Sequence, residues 1–270
     1  MIYVGLFVLF AAAAAALVCL AGGSVWLAAV TFVISFLLAH VLFLAVFWLL
    51  SRKTDLSRPE ARQDPYSREA ARAVGRFLCF YGGVRPCIRG EEKLPRDSRF
   101  LFVCNHRSMF DPLMVMGFMP SWNIAFISKP SNLRIPLVGD IARTAGFLAI
   151  DRENDRNALK TILQAADYLK RDLCSVGIYP EGTRSHTNEM LPFHRGSFKV
   201  AQRANVPLVI ACVRGSEKLR RGFLLHPHTV YLDILEVLPA AQVKTMSTQE
   251  LADYSREKIQ ACLDSGEATA

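Results

Sequence analysis

The amino-acid sequence predicts an α/β protein, in which an N-terminal membrane helical hairpin precedes one mainly parallel sheet domain flanked by helices. Two observations lead to this prediction. The first fifty residues contain no Asp, Glu, Lys or Arg, so the rest of the chain carries the whole net charge of +8. Beyond residue 84, short apolar runs typical of strands alternate with segments of helical periodicity, a pattern that favours a parallel sheet.

The hairpin is predicted over residues 1–50. Residues 1–20 are almost wholly apolar, and a helix of about 20 residues spans about 30 Å. Gly22-Gly23-Ser24 interrupts this run, and a second apolar run covers residues 25–50. A hairpin that dips into one leaflet without crossing is an alternative that hydropathy leaves open. A cleaved signal peptide is disfavoured, because no positively charged segment precedes the first run.

Basic residues follow the hairpin directly. Residues 51–65, with Arg58-Pro59 and Asp64-Pro65, are predicted to be a linker to a soluble domain over 66–270. The positive-inside rule puts this domain on the cytoplasmic side of the cell membrane. Beside a membrane anchor, these cations favour anionic lipid headgroups over nucleic acid as the partner. They are Arg52, Lys53, Arg58, Arg62, Arg68, Arg72 and Arg76.

The seven cysteines are scattered and show no paired spacing. The sequence has no Cys-x-x-Cys and no cluster of His and Cys, so it indicates neither a disulfide framework nor a metal site. A reducing compartment fits this pattern.

Helices and strands alternate along the predicted soluble domain. A helix is predicted over 66–80, and a capping box of Ser247 and Glu250 starts the last helix. The apolar stripe of Leu159, Ile162, Leu163, Ala166 and Leu169 predicts a helix over 155–170. The other helices are predicted at 111–119, 136–144, 196–204 and 248–263. The strands are predicted at 85–89, 99–104, 123–128, 146–150, 174–179, 207–213 and 229–236.

Chemically capable side chains follow several of these strands directly. His106 comes after strand 99–104, Lys129 after 123–128 and Arg152 after 146–150, while Glu181 to Ser185 follow 174–179. In open parallel sheets, ligands bind beyond the carboxyl ends of the strands. We therefore expect these side chains to meet at one edge of the sheet.

The segment Asn105-His106-Arg107-Ser108-Met109-Phe110-Asp111-Pro112 predicts a histidine in a turn before a helix that starts with Asp111 as N-cap and Pro112 at the first position. A carboxylate folded back onto His106 would fix the tautomer of the ring and stabilise its cation, as in a catalytic dyad. The alternative is a strand-to-helix connection with an incidental histidine.

The segment Glu181-Gly182-Thr183-Arg184-Ser185 predicts an anion site. Gly182 lets the backbone approach a ligand, Thr183 offers a hydroxyl, and the guanidinium of Arg184 can bind two phosphate oxygens. Glu181 can hold the arginine or accept a hydrogen bond from a substrate hydroxyl. The alternative is a surface turn with solvated charges, and an Asp151-Arg152 salt bridge is likewise an alternative to a ligand site.

Taken together, these segments resemble the 1-acylglycerol-3-phosphate acyltransferase family of glycerolipid acyltransferases. The resemblance covers about residues 84–240 and follows four ordered blocks, together with the segment Phe193 to Lys199 before the last of them. The second block has Leu148-Ala149 where bulkier residues are usual, from which we expect only a packing consequence. The four blocks are Asn105–Pro112, Gly146–Arg152, Glu181–Ser185 and Val206–Ile210.

The resemblance implies an enzyme that moves a fatty acyl group from an acyl thioester to the free hydroxyl of 1-acylglycerol 3-phosphate (lysophosphatidic acid), giving phosphatidic acid. His106 would be the base and Asp111 would orient it. Backbone amides near Gly182 or at the start of helix 111–119 would stabilise the oxyanion. No metal or resident cofactor is implied; acyl carrier protein or coenzyme A brings the acyl group as co-substrate. The acceptor phosphate would be held by Lys129, Arg152, Glu181, Gly182, Thr183 and Arg184.

Other functions remain open at this point. The same chemistry on glycerol 3-phosphate or on another lysophospholipid is the nearest alternative. A non-catalytic membrane protein that binds anionic lipid would have no use for a base, and a hydrolase would not need a phosphate clamp beside the His106–Asp111 pair.

Overall fold

The structure is a computed structural model that describes residues 2–53, 65–119, 122–136, 138–151, 154–185, 189–221 and 227–267. The chain divides into two compact units, Met1–Thr54 and Asp55–Ala270.

The first unit is a pair of helices, α1 (Ile2–Leu20) and α2 (Val25–Lys53), which pack against each other. Aromatic side chains join them, with the rings of Phe7 and His40 4.7 Å apart between centroids. Gly22 makes the turn at a φ of 77°. Both helices are long and apolar enough to cross a membrane by length and composition. The second helix runs beyond the predicted end at residue 50 and so takes in the start of the predicted linker; residues 54–64 lie outside the described residues.

The second unit contains the sheet, and its described residues form seven strands in the order β1-β7-β6-β2-β5-β3-β4. Neighbouring strands are parallel except for the antiparallel pair β6 and β7, so the predicted mainly parallel sheet is confirmed. The strands are β1 (Val84–Arg89), β2 (Leu101–Cys104), β3 (Ile124–Ser128), β4 (Leu148–Ala149), β5 (Ser175–Ile178), β6 (Leu208–Arg214) and β7 (His228–Leu238).

Helices connect and flank these strands. The predicted capping box of the last helix is confirmed, since Ser247 and Glu250 exchange side-chain-to-backbone hydrogen bonds. The predicted helix 196–204 is instead a 3₁₀ turn over Arg195–Phe198 followed by a short α-helix, and the helix at 240–245 was not predicted. The helices are α3 (Pro65–Tyr81), α4 (Asp111–Phe118), α5 (Val138–Thr144), α6 (Asp155–Lys170), α7 (Lys199–Ala204), α8 (Ala240–Thr245) and α9 (Thr248–Glu267).

Side chains alternate between the two faces of the sheet along each strand, and helices cover both faces, so both are buried. Leu101, Val103 and Ile127 belong to a core shared with α6, α7, α8 and α9. Phe102 and Phe126 point to the opposite face, where their rings meet at 6.2 Å and where α3 and α4 pack. The α/β unit is therefore a three-layer sandwich.

Helix α3 packs closely on α4, where Gly75 and Gly117 face each other and one arginine makes a hydrogen bond. A Cβ on Gly75 would lie 2.9 Å from the end of the Met116 side chain and 3.3 Å from the Leu113 carbonyl, so a larger residue here would make Met116 move. Arg76, one of the basic residues that follow the hairpin, donates from Nε to the Gly117 carbonyl at 2.6 Å. This arginine therefore contacts the neighbouring helix with its charged head.

The strand order places β2, β5 and β3 side by side. These are the strands that precede His106, Glu181 and Lys129, and all three run in the same direction. Their carboxyl ends therefore meet at one edge of the sheet, as the sequence predicts, and the candidate site lies there.

Candidate active site

His106 and Asp111 form a hydrogen-bonded pair in the turn between β2 and α4. His106 Nδ1 lies 2.9 Å from Asp111 Oδ2, so the chain does reverse between them as predicted. An ionised carboxylate accepts, which makes Nδ1 the protonated ring nitrogen and leaves Nε2 with its lone pair. The imidazole is 19% exposed and lines a cavity, whereas the carboxylate is 2% exposed.

Asp111 also shapes the turn that presents the histidine. Its Oδ2 accepts from the backbone N–H groups of Arg107 at 2.8 Å and Ser108 at 2.7 Å. The prediction that Asp111 caps α4 is wrong: Phe110 is the N-cap and Asp111 is the first helical residue, with its carboxylate turned back toward the preceding turn. Asp111 Oδ1 is buried and has no hydrogen-bond partner among the described residues.

The loop after β5 holds the backbone of His106 from the other side. Glu181 Oε1 accepts from the His106 N–H at 2.8 Å, and the Ser185 N–H donates to the His106 carbonyl at 2.9 Å. Glu181 Oε2 accepts from the Leu191 N–H at 3.0 Å. Both oxygens of Glu181 thus bind backbone within the fold, and among the described residues Glu181 makes no salt bridge to Arg184, so the predicted hold on that arginine is wrong. A contact of Glu181 with a substrate hydroxyl stays a prediction.

Glu181 is a buried carboxyl, 3% exposed. Burial raises its pKa above the usual value, because the charged form loses hydration. The two backbone hydrogen bonds and the nearby His106 and Arg107 oppose this shift. The side chain thus ties two distant segments together at the centre of the site.

Tyr179 is a site residue that the sequence analysis missed. Its ring stacks on His106 at 4.2 Å between centroids and on Phe126 at 5.1 Å. The phenol is buried, and this burial raises its pKa well above the usual value. The only sequence signal was its place as the last residue of a predicted strand, directly before the Pro180-Glu181 turn. Tyr179 limits the positions open to the imidazole ring.

Asn105 is a second residue whose role only the structure reveals. Its side chain donates to the Val213 carbonyl at 2.9 Å and accepts from the Val213 N–H at 2.8 Å. This pair of bonds ties the end of β2 to β6 beside the histidine. Asn105 is 1% exposed, so it acts within the fold and has no access to a ligand.

The cavity that His106 lines, here the His106 cavity, has a volume of about 430 Å³. Lys129, Gly182, Thr183 and Arg184 lie on its wall, so the structure brings these predicted phosphate ligands together with the histidine. Arg152, also predicted there, lies outside the described residues. Apolar side chains from α4, α5, β3 and the turn before β4 complete the wall, among them Leu113, Phe126, Ala142 and Phe147.

The backbone of the 181–185 loop is turned sharply at Gly182, which has a φ of 75°. The Gly182 N–H donates to the Tyr179 carbonyl at 3.0 Å, so this amide is occupied within the loop. The amides of Thr183 and Arg184 make no hydrogen bond to the described residues. An anion in the His106 cavity would thus meet a base, three polar or cationic side chains and unpaired backbone donors.

Comparisons with known proteins give matches over most of the chain. The sequence model of the Acyltransferase family matches residues 85–214. A 1-acyl-sn-glycerol-3-phosphate acyltransferase of Haemophilus influenzae is 30% identical over 195 residues, which cover 70% of this chain and 78% of that protein. The Cocos nucifera protein with the same name is 31% identical over 187 residues, 69% of this chain and 56% of the coconut protein, so the chain spans about half of its length.

A solved structure is similar over most of the chain. The 1-acyl-sn-glycerophosphate acyltransferase of Thermotoga maritima superposes with a TM-score of 0.65 at 25% identity, covering 83% of this chain and 88% of that one. The Haemophilus influenzae protein matches this chain over more than two thirds of both sequences, and the Thermotoga maritima protein has a similar fold. The chain belongs to the 1-acylglycerol-3-phosphate acyltransferase family of enzymes.

Proposed function

We propose that the protein transfers a fatty acyl group from an acyl thioester to the free 2-hydroxyl of 1-acylglycerol 3-phosphate, giving phosphatidic acid for phospholipid synthesis. One observation carries this proposal: a buried carboxylate orients His106 in the same cavity that Lys129, Thr183 and Arg184 line. The cations can bind the phosphate of a lysolipid, and the base can deprotonate the free hydroxyl of the same lysolipid.

The proposed reaction begins with proton transfer. His106 Nε2 takes the proton of the acceptor hydroxyl as the oxygen attacks the thioester carbonyl carbon. A carbon–oxygen bond forms, and the carbon–sulfur bond breaks as the tetrahedral intermediate collapses. The proton on His106 then passes to the departing thiolate. Asp111 stabilises the imidazolium between these steps, and no side chain of the enzyme is acylated.

The charge that develops on the carbonyl oxygen needs donors. The amides of Thr183 and Arg184 are candidates, because neither has an acceptor among the described residues. The Gly182 amide is a weaker candidate, since it already donates to Tyr179. Preorganised backbone donors of this kind are often the largest single contribution to acyl-transfer catalysis.

The apolar helices α1 and α2 support a proposal of membrane anchoring, with the α/β unit on the cytoplasmic side of the cell membrane. A lysolipid acceptor is concentrated in the bilayer, so an anchored enzyme meets it there. We expect the full-length protein to remain with membranes after washing with high salt and with alkaline carbonate. Release by salt alone would mean that charge rather than the helices holds the protein.

The substrate proposal is tested by offering purified protein a labelled acyl thioester with a panel of acceptors. The panel contains 1-acylglycerol 3-phosphate, glycerol 3-phosphate, other lysophospholipids and water alone. We expect labelled phosphatidic acid as the main product with the first acceptor. If the protein preferred glycerol 3-phosphate or another lysophospholipid, that compound would be the acceptor instead. Release of free fatty acid alone would indicate a hydrolase.

A further inference from the structure

A second cavity, of about 530 Å³, adjoins the His106 cavity. The two share Ile127, Tyr179 and Gly182 as wall residues, so they meet beside the proposed reaction centre. The reaction described above uses only the first cavity. Since a thioester carries a chain on each side of its reacting carbonyl, one of these chains has to leave the His106 cavity.

The wall of the second cavity contains both aliphatic and cationic side chains. Ile150, Ile162 and Ile178 form the aliphatic part, together with Leu159, which is 43% exposed at its rim. Arg195 and Lys199 form the cationic part, with His194 beside them, and Asp155 is the acidic lining residue. Neither Arg195 nor Lys199 pairs with an acidic side chain in the part of the chain that the structure describes.

Two leucines of α6 are exposed. Leu159 and Leu163 belong to the predicted apolar stripe that also contains Ile162, Ala166 and Leu169. In the structure Ile162, Ala166 and Leu169 are buried, whereas Leu159 and Leu163 are 43% and 41% exposed. Leu159 faces the second cavity, so a ligand with aliphatic groups would cover it there.

We propose that the second cavity binds the 4′-phosphopantetheine arm of the acyl donor, with the phosphate at Arg195 and Lys199. This inference rests on the proposed acyl transfer. The arm is a partly aliphatic chain that ends in a phosphate, and it matches a wall that offers both aliphatic and cationic side chains. A fatty acyl chain would gain nothing from two unpaired cations, and the acceptor phosphate already has Lys129, Thr183 and Arg184 in the His106 cavity.

Coenzyme A and acyl carrier protein share this arm, so the site recognises the chemistry common to both. The test therefore uses two synthetic donors that differ only in the phosphate: an acyl 4′-phosphopantetheine and the same acyl pantetheine. The variant is Arg195→Ala combined with Lys199→Ala. The matched control is Arg203→Ala, which removes an exposed cation of α7 that does not line either cavity.

In the wild type, the KM of the phosphorylated donor should be lower than that of the unphosphorylated donor by about tenfold or more, because a charge-assisted contact is lost without the phosphate. The double variant should lose this preference while its KM for the acceptor stays unchanged. The control should keep the preference. Ala158→Phe, which narrows the cavity without changing its charge, should raise the KM of both donors.

Three results for the double variant would contradict the proposed site. The first is a lower KM for the phosphorylated donor, as in the wild type. The second is an equal rise in the KM of both donors, and the third is a rise in the KM of the acceptor alone. An unchanged donor KM in Ala158→Phe would do the same. Acyl-coenzyme A and acyl carrier protein are then compared in the wild type to find the natural source. The donor that is used must show the rise in KM in the double variant. A wild type that transfers from no thioester would instead overturn the proposed function.

Discussion

Two halves of the candidate active site differ in how their side chains are held. In the first half, Asp111 and Glu181 are buried, and they accept from the backbone N–H groups of His106 and of the two residues that follow it. In the second half, Lys129, Thr183 and Arg184 are exposed, and none of them has a salt bridge to the described residues.

The difference corresponds to what each half has to do. Proton transfer needs the base within hydrogen-bond distance of a particular atom, so its position must be set before the substrate arrives. Phosphate binding needs positive charge, and long cationic side chains can adjust to the ligand as it enters. We therefore expect substitutions in the first half to reduce turnover and substitutions in the second half to reduce acceptor affinity.

The largest effect is expected for His106→Ala. Loss of a general base should lower kcat by about 10²–10⁴-fold, with little change in the KM of the acceptor. Steady-state kinetics measures this, with a thermal melt as a check on folding. A variant that keeps more than about a tenth of wild-type turnover would exclude His106 as the base.

Asp111→Asn comes next. An Asn oxygen can accept the same bonds from His106, Arg107 and Ser108, but the negative charge is lost and the amide NH₂ takes the buried position of Oδ1, which has no partner among the described residues. We expect a fall in kcat of about 10²-fold. Turnover within twofold of the wild type would mean that only the shape of the turn matters.

Arg184→Ala tests the exposed half. Loss of a charge-assisted hydrogen bond to phosphate costs about 1.5–3 kcal/mol, which predicts a rise in acceptor KM of about 10- to 100-fold. The KM of the donor should stay near the wild-type value, and Arg203→Ala serves as a control of equal charge. An equal rise for both substrates would contradict a role in phosphate binding.

Glu181→Gln returns to the buried half. The amide can accept from only one of the two N–H groups of His106 and Leu191, and it sets an NH₂ group against the other. The free energy of unfolding should fall by about 1–3 kcal/mol, measured by denaturant titration. Activity should fall as well, since the His106 backbone loses support. A stable variant with a raised acceptor KM would instead indicate that Glu181 contacts the substrate.

The smallest effect is expected for Tyr179→Phe. The phenol oxygen is buried without a hydrogen-bond partner among the described residues, so its removal should raise the free energy of unfolding by about 1 kcal/mol. The stacking on His106 is kept, and kcat should not change. A clear loss of kcat would mean that the hydroxyl reaches the reacting groups.

Prediction from the sequence succeeded where the signal was local. The alternation of apolar runs with helical periods located all seven strands that the structure describes, because each run has the length and composition of a buried strand. The position of His106 followed from its place directly after such a run. The order of the strands did not follow, because it depends on packing between segments far apart in the chain.

For Asp111 and Glu181, the sequence predicted where each residue lies along the chain but not all of the groups that its carboxylate binds. The sequence by itself determined that both carboxyls come after strands, Asp111 at the start of a helix and Glu181 in a turn, since strand length and turn composition are properties of neighbouring residues. Only the tertiary structure decided what they bind: Asp111 turns back from its helix to Arg107 and Ser108, and Glu181 reaches His106 and Leu191. A buried carboxylate takes the N–H groups that the fold leaves unpaired around it, and the His106 N–H comes within reach of Glu181 only once β2 and β5 lie side by side.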